Sequence, residues 1–416
     1  MPENWKTYKL KEVANLSTGF AFKSKDYRNS GDLKVIRGKN ITEGYLRWGD
    51  DSRYWNFSLE KLDKFVVEEG DIVVGMDGSK IGKNRAIVRS QDLPSILAQR
   101  VGRINAKSKV AEQKFLWQLI NNKIFEDYID NVKTGTSIPH ISLTQIGDFE
   151  VKLPPLKEQK SIASILSALD DKIELNLQMN KTLEEMAMAL YKHWFVDFGP
   201  FQDEEFADSE LGEIPKGWEV KTIGELYNTT SGGTPSRKKP EYYQDGDINW
   251  VKSKELYGNF IIDTEEKINS LGLKKSSAKL IPPKSVLLAM YGATVGESSI
   301  LSVEATCNQA ICAILEKELS FIYVFLFLRI FKSDILNQAT GSAQQNISQQ
   351  IIKNIPIVSP PVDLKVFDEL EHYYDLIEQN VFENKTLTQL RDTLLPKLIS
   401  GEVRVKDVEK TLSEVL

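Results

Sequence analysis

Cationic and amide side chains gather in the polar loops of this 416-residue chain. The first half offers Lys23, Lys25 and Arg28, then Arg37, Lys39 and Asn40, then Lys80, Lys83 and Arg85. The second half offers Arg237, Lys238 and Lys239, then Lys252 and Lys254, then Gln344, Gln345 and Asn346. Arginine and lysine can meet phosphates and guanine edges, while asparagine and glutamine suit adenine. These seventeen residues are the expected nucleic-acid contacts. Taken singly, each is ordinary protein surface, so the weight of the reading rests on how the chain arranges them.

Catalytic constellations are not among the motifs. GMDGSKIGK looks like a phosphate-binding loop, but Gly75 and Gly82 are wrongly spaced and no Lys-Ser/Thr pair follows. SPPV (359–362) lacks the aromatic residue that an adenine methyltransferase motif carries after Pro-Pro, and LPPL (153–156) lacks both ends. DFEVK (148–152) has the letters of a magnesium-dependent nuclease, but its repeat partner NIPIV (354–358) does not, which favours a plain strand edge. His140, His193 and His372 share no ligand spacing. Cys307 and Cys312 sit in an apolar run without other ligands nearby, and are expected as small core residues. The expectation is a chain with no catalytic residues, no metal and no cofactor of its own.

The elements that must position the loops come in two copies. Trp5 matches Trp218 and Gly19 matches Gly232. GDIVVGMDGSKIGK (70–83) matches KSVLLAMYGATVGE (284–297), with Gly78 on Gly292 and Gly82 on Gly296. Gln99 falls on Gln309. TGTSIPHISLTQIGDFEVKLPP (134–155) matches TGSAQQNISQQIIKNIPIVSPP (340–361) without a gap. DKIELNLQMNKTL (171–183) matches DLIEQNVFENKTL (375–387), also without a gap. Ordered matches across the whole of each half indicate tandem duplication.

Each copy reads as a mixed head followed by a long helix. An apolar strand, IVVGM or VLLAM, runs into a glycine-punctuated turn. One helix is expected over KFLWQLINNKIFEDYI (114–129) and another over FIYVFLFLRIFKSDIL (321–336). Pro154-Pro155 and Pro360-Pro361 close the heads. Beyond them, 157–196 and 363–399 contain no glycine and no proline except Pro396. Apolar residues recur there every three or four positions, through Ile162, Leu166, Ile173, Leu177, Asn180 and onward, and through Leu370, Ile377, Val381 and Asn384. The expected division is a first head at 1–155, a central spacer helix at 156–198, a linker and second head at 199–361, and a C-terminal helix and tail at 362–416. The fold class is α+β: two similar mixed heads alternating with two long helices. Those helices should pair as an antiparallel coiled coil with pseudo-two-fold symmetry.

Charge follows this division. Residues 1–155 carry 25 Lys and Arg against 20 Asp and Glu, and 212–361 carry 16 against 15. The helical stretches 156–211 and 362–416 carry 5 against 12 and 7 against 12. Heads that meet phosphates and helices that meet a protein would suit this split. The repeat keeps its apolar frame while RKKPEYYQDGD and KSKDYRNSGD occupy similar places with different letters. Two related scaffolds with different loops suit the reading of two short sequences. No apolar run is long enough for a membrane span, and a reducing cytoplasm fits the cysteine usage.

The chain resembles the specificity (S) subunit of type I restriction–modification systems over essentially its whole length. The similarity is carried by LPPLKEQKSIASILSALDDKIELN, ALYKHWFVDFGPF, SELGEIPKGWEVKTIGEL, TGSAQQNIS and LLPKLISGEV. The resemblance implies two target recognition domains, each reading half of a split, asymmetric site in double-stranded DNA. It implies a coiled coil that spaces them and docks two methyltransferase subunits, which restriction/translocase subunits then join. S-adenosylmethionine, ATP and magnesium would belong to those partners. The recognition loops vary within the family, so no base contact carries over by position. A self-contained methyltransferase or nuclease, and a two-headed scaffold for proteins, are the alternative readings.

Overall fold

The computed structural model describes residues 4–135, 138–337 and 346–405. The chain forms two compact units, Met1–Asp171 with Leu387–Leu416, and Lys172–Thr386. The boundary cuts both long helices, so each unit holds one head and a stretch of each helix.

In the first unit a five-stranded sheet has the order Ala14–Thr18, Val101–Ala106, Ile72–Gly75, Arg85–Ile87, Glu43–Gly44. Only the last pairing is parallel. A three-stranded sheet places Leu33–Ile36 between Tyr54–Trp55 and, in parallel, Ser95–Leu97. Lys6–Lys9 pairs antiparallel with Glu150–Leu153, closing the head where Pro154 and Pro155 stop the strand.

The second unit has the same topology. Its five strands run Asn228–Ser231, Ile311–Leu315, Val286–Ala289, Ser298–Leu301, Phe260–Ile261, again with only the last pair parallel. Ile248–Val251 lies between Lys267–Ile268 and Ala305–Cys307, and Glu219–Thr222 pairs with Pro356–Ser359. The central strands, IVVG and VLLA, are buried at every position, which explains their continuous apolar runs. A hairpin, Phe206–Ser209 with Gly212–Pro215, has no counterpart among the described residues of the first unit.

Helices back both sheets. The stretch expected as one helix at 114–129 is two, Gln113–Ile120 and Lys123–Val132. Asn122 separates them because its side chain accepts a hydrogen bond from the Ile124 amide at 2.9 Å and so starts a new helix. The stretch at 321–336 also divides, at Phe331. Each unit's large core joins this helical layer to the long helices. In the first unit Trp5, Phe115 and Phe149 pack with Ile162, Leu166 and Leu398. In the second, Trp218, Tyr323 and Phe325 pack with Tyr191, Phe195 and Leu370. Fully burying one such side chain contributes roughly 1.5–3 kcal/mol, so these contacts hold head to helix firmly. Cys307 and Cys312 are free, buried thiols, and burial pushes both up to about 12.

The long helices are Leu156–Phe195 and Val366–Ser400. The second starts three residues later than expected, because residues 362–365 form a turn instead of a first helical turn. Within the first unit, Arg391 pairs with Asp170 at 3.0 Å and Arg404 with Glu158 at 2.9 Å. Within the second, Asn380 bonds Asn180 at 2.8 Å and Phe195 stacks on Phe367 with centroids 5.5 Å apart. Numbers rise along the second helix and the residues just past it as they fall along the first, so the pairing is antiparallel in each unit. The seam differs from the expected one at Leu177, which is 53% exposed, whereas Asn176 is fully buried. Asn176 can lie there because its amide donates to Asn384 at 2.9 Å and to Glu383 at 2.7 Å.

Candidate nucleic-acid interface

In the first unit five loops converge beyond the ends of the central strands. The Gly19 amide donates to Val101, the Gln99 amide to Phe20 and the Ala98 amide to Ile36. The Met76 amide donates to Arg100 at 2.9 Å, the Gly78 amide to Pro139 at 3.1 Å, and the Ile141 amide returns to Met76 at 2.9 Å. The second unit repeats the frame. There the Gly232 amide donates to Ile311, the Asn308 amide to Val251, the Met290 amide to Ala310 and the Ile347 amide to Met290.

Glycine is required at two positions of this frame for lack of space. A Cβ on Gly19 would lie 2.3 Å from the Ala98 carbonyl oxygen, and one on Gly232 would lie 2.2 Å from that of Cys307. The repeated turns need glycine for another reason: Gly78 and Gly292 have φ of +100° and +87°.

The seventeen expected contacts fall into distinct settings. Lys39, Lys80 and Lys83 are exposed on the converging loops, and Arg37 is half-buried beside them. Arg37 donates to the Asp51 carbonyl oxygen and lies over the Tyr27 ring at 5.6 Å. Burial, then the nearby Arg53 charge, pulls the Arg37 pKa below its usual value. Lys39 pairs with the exposed Asp51 carboxylate at 2.8 Å. Lys23, Lys25 and Arg28 are exposed on a neighbouring loop, where Arg28 lies over Phe57 at 4.9 Å.

Asn346 is exposed and adjoins Ile347, which anchors the second unit's corresponding loop; Gln344 and Gln345 lie outside the described residues. Arg237, Lys238 and Lys239 are exposed. The Arg237 guanidinium sits 4.5 Å from the Tyr243 ring centroid and 4.8 Å from that of Trp250, with Glu266 at 2.5 Å. Lys252 and Lys254 share Glu265 at 3.0 and 2.6 Å. Hydrogen bonds from Arg237 to Glu266, and from Lys254 and Lys252 to Glu265, hold both carboxyls below their usual range. The exposed pairs, Arg237 with Glu266 and Lys254 with Glu265, are worth little and are readily exchanged for a phosphate, whereas Lys252 is half-buried.

Two expected contacts face inward instead. Asn40 is 3% exposed; it accepts from the Arg37 amide and donates to the Arg47 carbonyl, pinning its own loop. Arg85 is 5% exposed; it donates to Asn121, to the Gly82 carbonyl and, at 2.7 Å, to Glu126. It bolts the strand Arg85–Ile87 to the helix Lys123–Val132, and its charge is matched there. Both belong to the frame.

The loops also present further polar and aromatic residues. Gln99 and Arg100 are exposed at the centre of the convergence, and Gln309 takes the Gln99 place in the second unit. Arg100 has φ of +70°, a left-handed conformation that costs a non-glycine residue on the order of 1 kcal/mol. Tyr257 is 76% exposed and Tyr45 52%. The Gln99–Gln309 match was the available signal; nothing in the sequence marks Arg100.

The DFEVK letters have a structural explanation: Asp148 pairs with Lys11 at 2.7 Å and Lys9 at 3.1 Å, while Glu150 and Lys152 lie on the closing strand. Among the described residues no group of three or more His, Cys, Asp or Glu is placed to hold a metal. No helix among the described residues is long and apolar enough to cross a membrane.

Comparison with known proteins gives consistent relatives. The chain is 28% identical to the type I restriction enzyme MjaIX specificity subunit of Methanocaldococcus jannaschii, covering 98% of this chain and 95% of that one. It is 26% identical to the HindI specificity subunit of Haemophilus influenzae, covering 96% and 100%. The crystal structure of a type I restriction–modification S subunit from M. genitalium superposes with a TM-score of 0.64 at 17% identity, over 95% of this chain and 96% of the other, a likeness of fold. The profile described as "Type I restriction modification DNA specificity domain" matches twice, at residues 2–185 and 215–388, so the chain belongs to that family.

Proposed function

We propose that this chain is the non-catalytic DNA-reading subunit of a type I restriction–modification enzyme, with each head reading one half of a split, asymmetric site in double-stranded DNA. The observation that carries the reading is one frame used twice with different letters. The same sheets, loop anchors and glycines recur in both units, while the exposed residues on the converging loops differ apart from the shared glutamine, Gln99 and Gln309. Lys39, Lys80, Gln99 and Arg100 stand on one frame, and Lys254, Gln309 and Asn346 on the other. Direct base readout needs such donors and acceptors on a rigid support.

The helices supply the protein-facing part. Leu175, Leu177, Met179, Met186, Met188 and Phe382 are all exposed apolar side chains on the second unit's helices. Apolar surface of this kind suits docking by partner subunits. In this reading two methyltransferase subunits and the restriction/translocase subunits supply the chemistry with S-adenosylmethionine, ATP and magnesium, in the cytoplasm. The test is footprinting of the chain bound to its methyltransferase partner. One bipartite sequence should be protected, with half-sites separated by about one helical turn. Uniform protection without sequence preference, or methylation by this chain alone, would refute the proposal.

A further inference from the structure

We propose that the second unit carries a docking pocket for an aromatic side chain of a partner polypeptide, flanked on that polypeptide by basic residues. A cavity of about 300 Å3 opens between the end of the first long helix, the Phe206–Pro215 hairpin and the helix Lys332–Asn337. Its lining includes Tyr191, Phe195, Phe331, Ile335 and Ile355, with Asp334 at the rim. Apolar walls around that volume can enclose an aromatic side chain.

The first unit shows which groups fit such a corner. Phe149 corresponds to Ile355 within the gap-free match of 134–155 to 340–361. Tyr128 corresponds to Asp334. Each follows a phenylalanine by three residues, Phe125 or Phe331, and precedes a buried isoleucine by one, Ile129 or Ile335. In the first unit the Phe149 ring lies 5.1 Å from Phe125 and 5.1 Å from Tyr128. The Tyr128 hydroxyl donates to the Gln145 carbonyl at 2.7 Å. The second copy has an aliphatic group and a short carboxylate at these two positions, and both line the cavity. An unfilled space of this kind forfeits packing, which an aromatic occupant would restore.

The surroundings select a basic flank. Asp334 is exposed and makes no ion pair or hydrogen bond among the described residues. Around the hairpin, Asp203, Glu204, Glu205, Asp208, Glu210 and Glu213 are all exposed, and Lys216 offsets only Glu205. Acidic surface of this kind beside the cavity repels DNA and attracts cationic peptide. Leu211, in the hairpin turn, is 46% exposed at the mouth and adds an apolar lip.

The test uses the intact chain and fluorescein-labelled Lys-Lys-Trp-Lys-Lys, with Lys-Lys-Ala-Lys-Lys as control. The tryptophan peptide should bind saturably and at least about ten-fold more tightly than the control. The double variant Asp334→Tyr with Ile355→Phe, which installs the first unit's residues, should melt higher than the parent and lose that preference. Leu211→Asp, at an exposed turn, should weaken the preference without altering the melt. Equal binding of the two peptides would overturn the proposal, as would a preference that survives filling or a filled variant that melts lower. No DNA is read in this assay, so its failure would leave the DNA-reading proposal standing.

Discussion

At the residue scale, the loops hold two populations that share a chemistry and differ in burial. Arg85 and Lys238 are both cationic residues of loop-like sequence, yet Arg85 opens a strand and is locked to Glu126 while Lys238 faces solvent. Arg85→Ala would leave the half-buried Glu126 carboxylate only the exposed Lys123, 3.6 Å away, and should cost about 2–3 kcal/mol in chemical unfolding. Lys238→Glu should leave stability within about 0.5 kcal/mol, but weaken DNA binding and flatten its salt dependence. Gly19→Ala and Gly232→Ala should each destabilise by about 1–3 kcal/mol, because the added methyl meets a carbonyl oxygen that cannot retreat. The sequence already marked these glycines through the repeat. It could not mark Arg85 or Asn40 as frame residues: Glu126 is 41 positions from Arg85, and only the folded sheet brings it near.

At the element scale, the helix pairing rests on a reciprocal set of asparagines. Asn176 and Asn380 are repeat equivalents, as are Asn180 and Asn384. Asn176 donates to Asn384 and Asn380 donates to Asn180, so each first asparagine meets the other copy's second one. This is the pseudo-two-fold relation expected of duplicated helices, seen here within the second unit. Asn380→Leu alone should cost roughly 1–3 kcal/mol by leaving the Asn180 carbonyl unpartnered, while Asn180→Leu with Asn380→Leu should recover much of it. A double-mutant cycle by thermal unfolding checks this, and additive losses would contradict it. Apolar periodicity placed Leu177 in the seam because it counts spacing; it cannot see that a neighbouring amide has partners on the facing helix.

A second link of this scale ties the head to the helix. Lys385 hydrogen-bonds Asp263 at 2.8 Å, and with the Thr264 amide and Lys267 holds its carboxyl at about 2, below the ordinary 3.8. A lowered folded pKa stabilises above the unfolded value and is lost as pH falls from about 4 towards 2. Both partners are more than a third exposed, so the contribution should stay under about 1 kcal/mol. Asp263→Asn should remove that acid-range part of the unfolding curve and leave stability above pH 5 shifted by a constant.

At the scale of the whole chain, duplication is the feature the sequence displayed most plainly. Trp5 and Trp218, the glycine turns and the two Pro-Pro stops each answer a backbone or packing demand that both copies share. The sheet orders repeat accordingly. Recognition is less legible because it depends on loop surface that no local rule constrains. Arg100 shows the difficulty: its left-handed backbone runs against the preference of its residue type, and only the closing of the loop around it accounts for its place. The central claim, that two unlike surfaces on one repeated frame read two DNA words for a partner enzyme, is tested most directly by methylome sequencing of a strain carrying this gene with its methyltransferase partner, compared with a deletion of this gene alone. The account predicts one split, asymmetric methylated motif that disappears on deletion. A contiguous or palindromic motif, or methylation that persists without this chain, would contradict it.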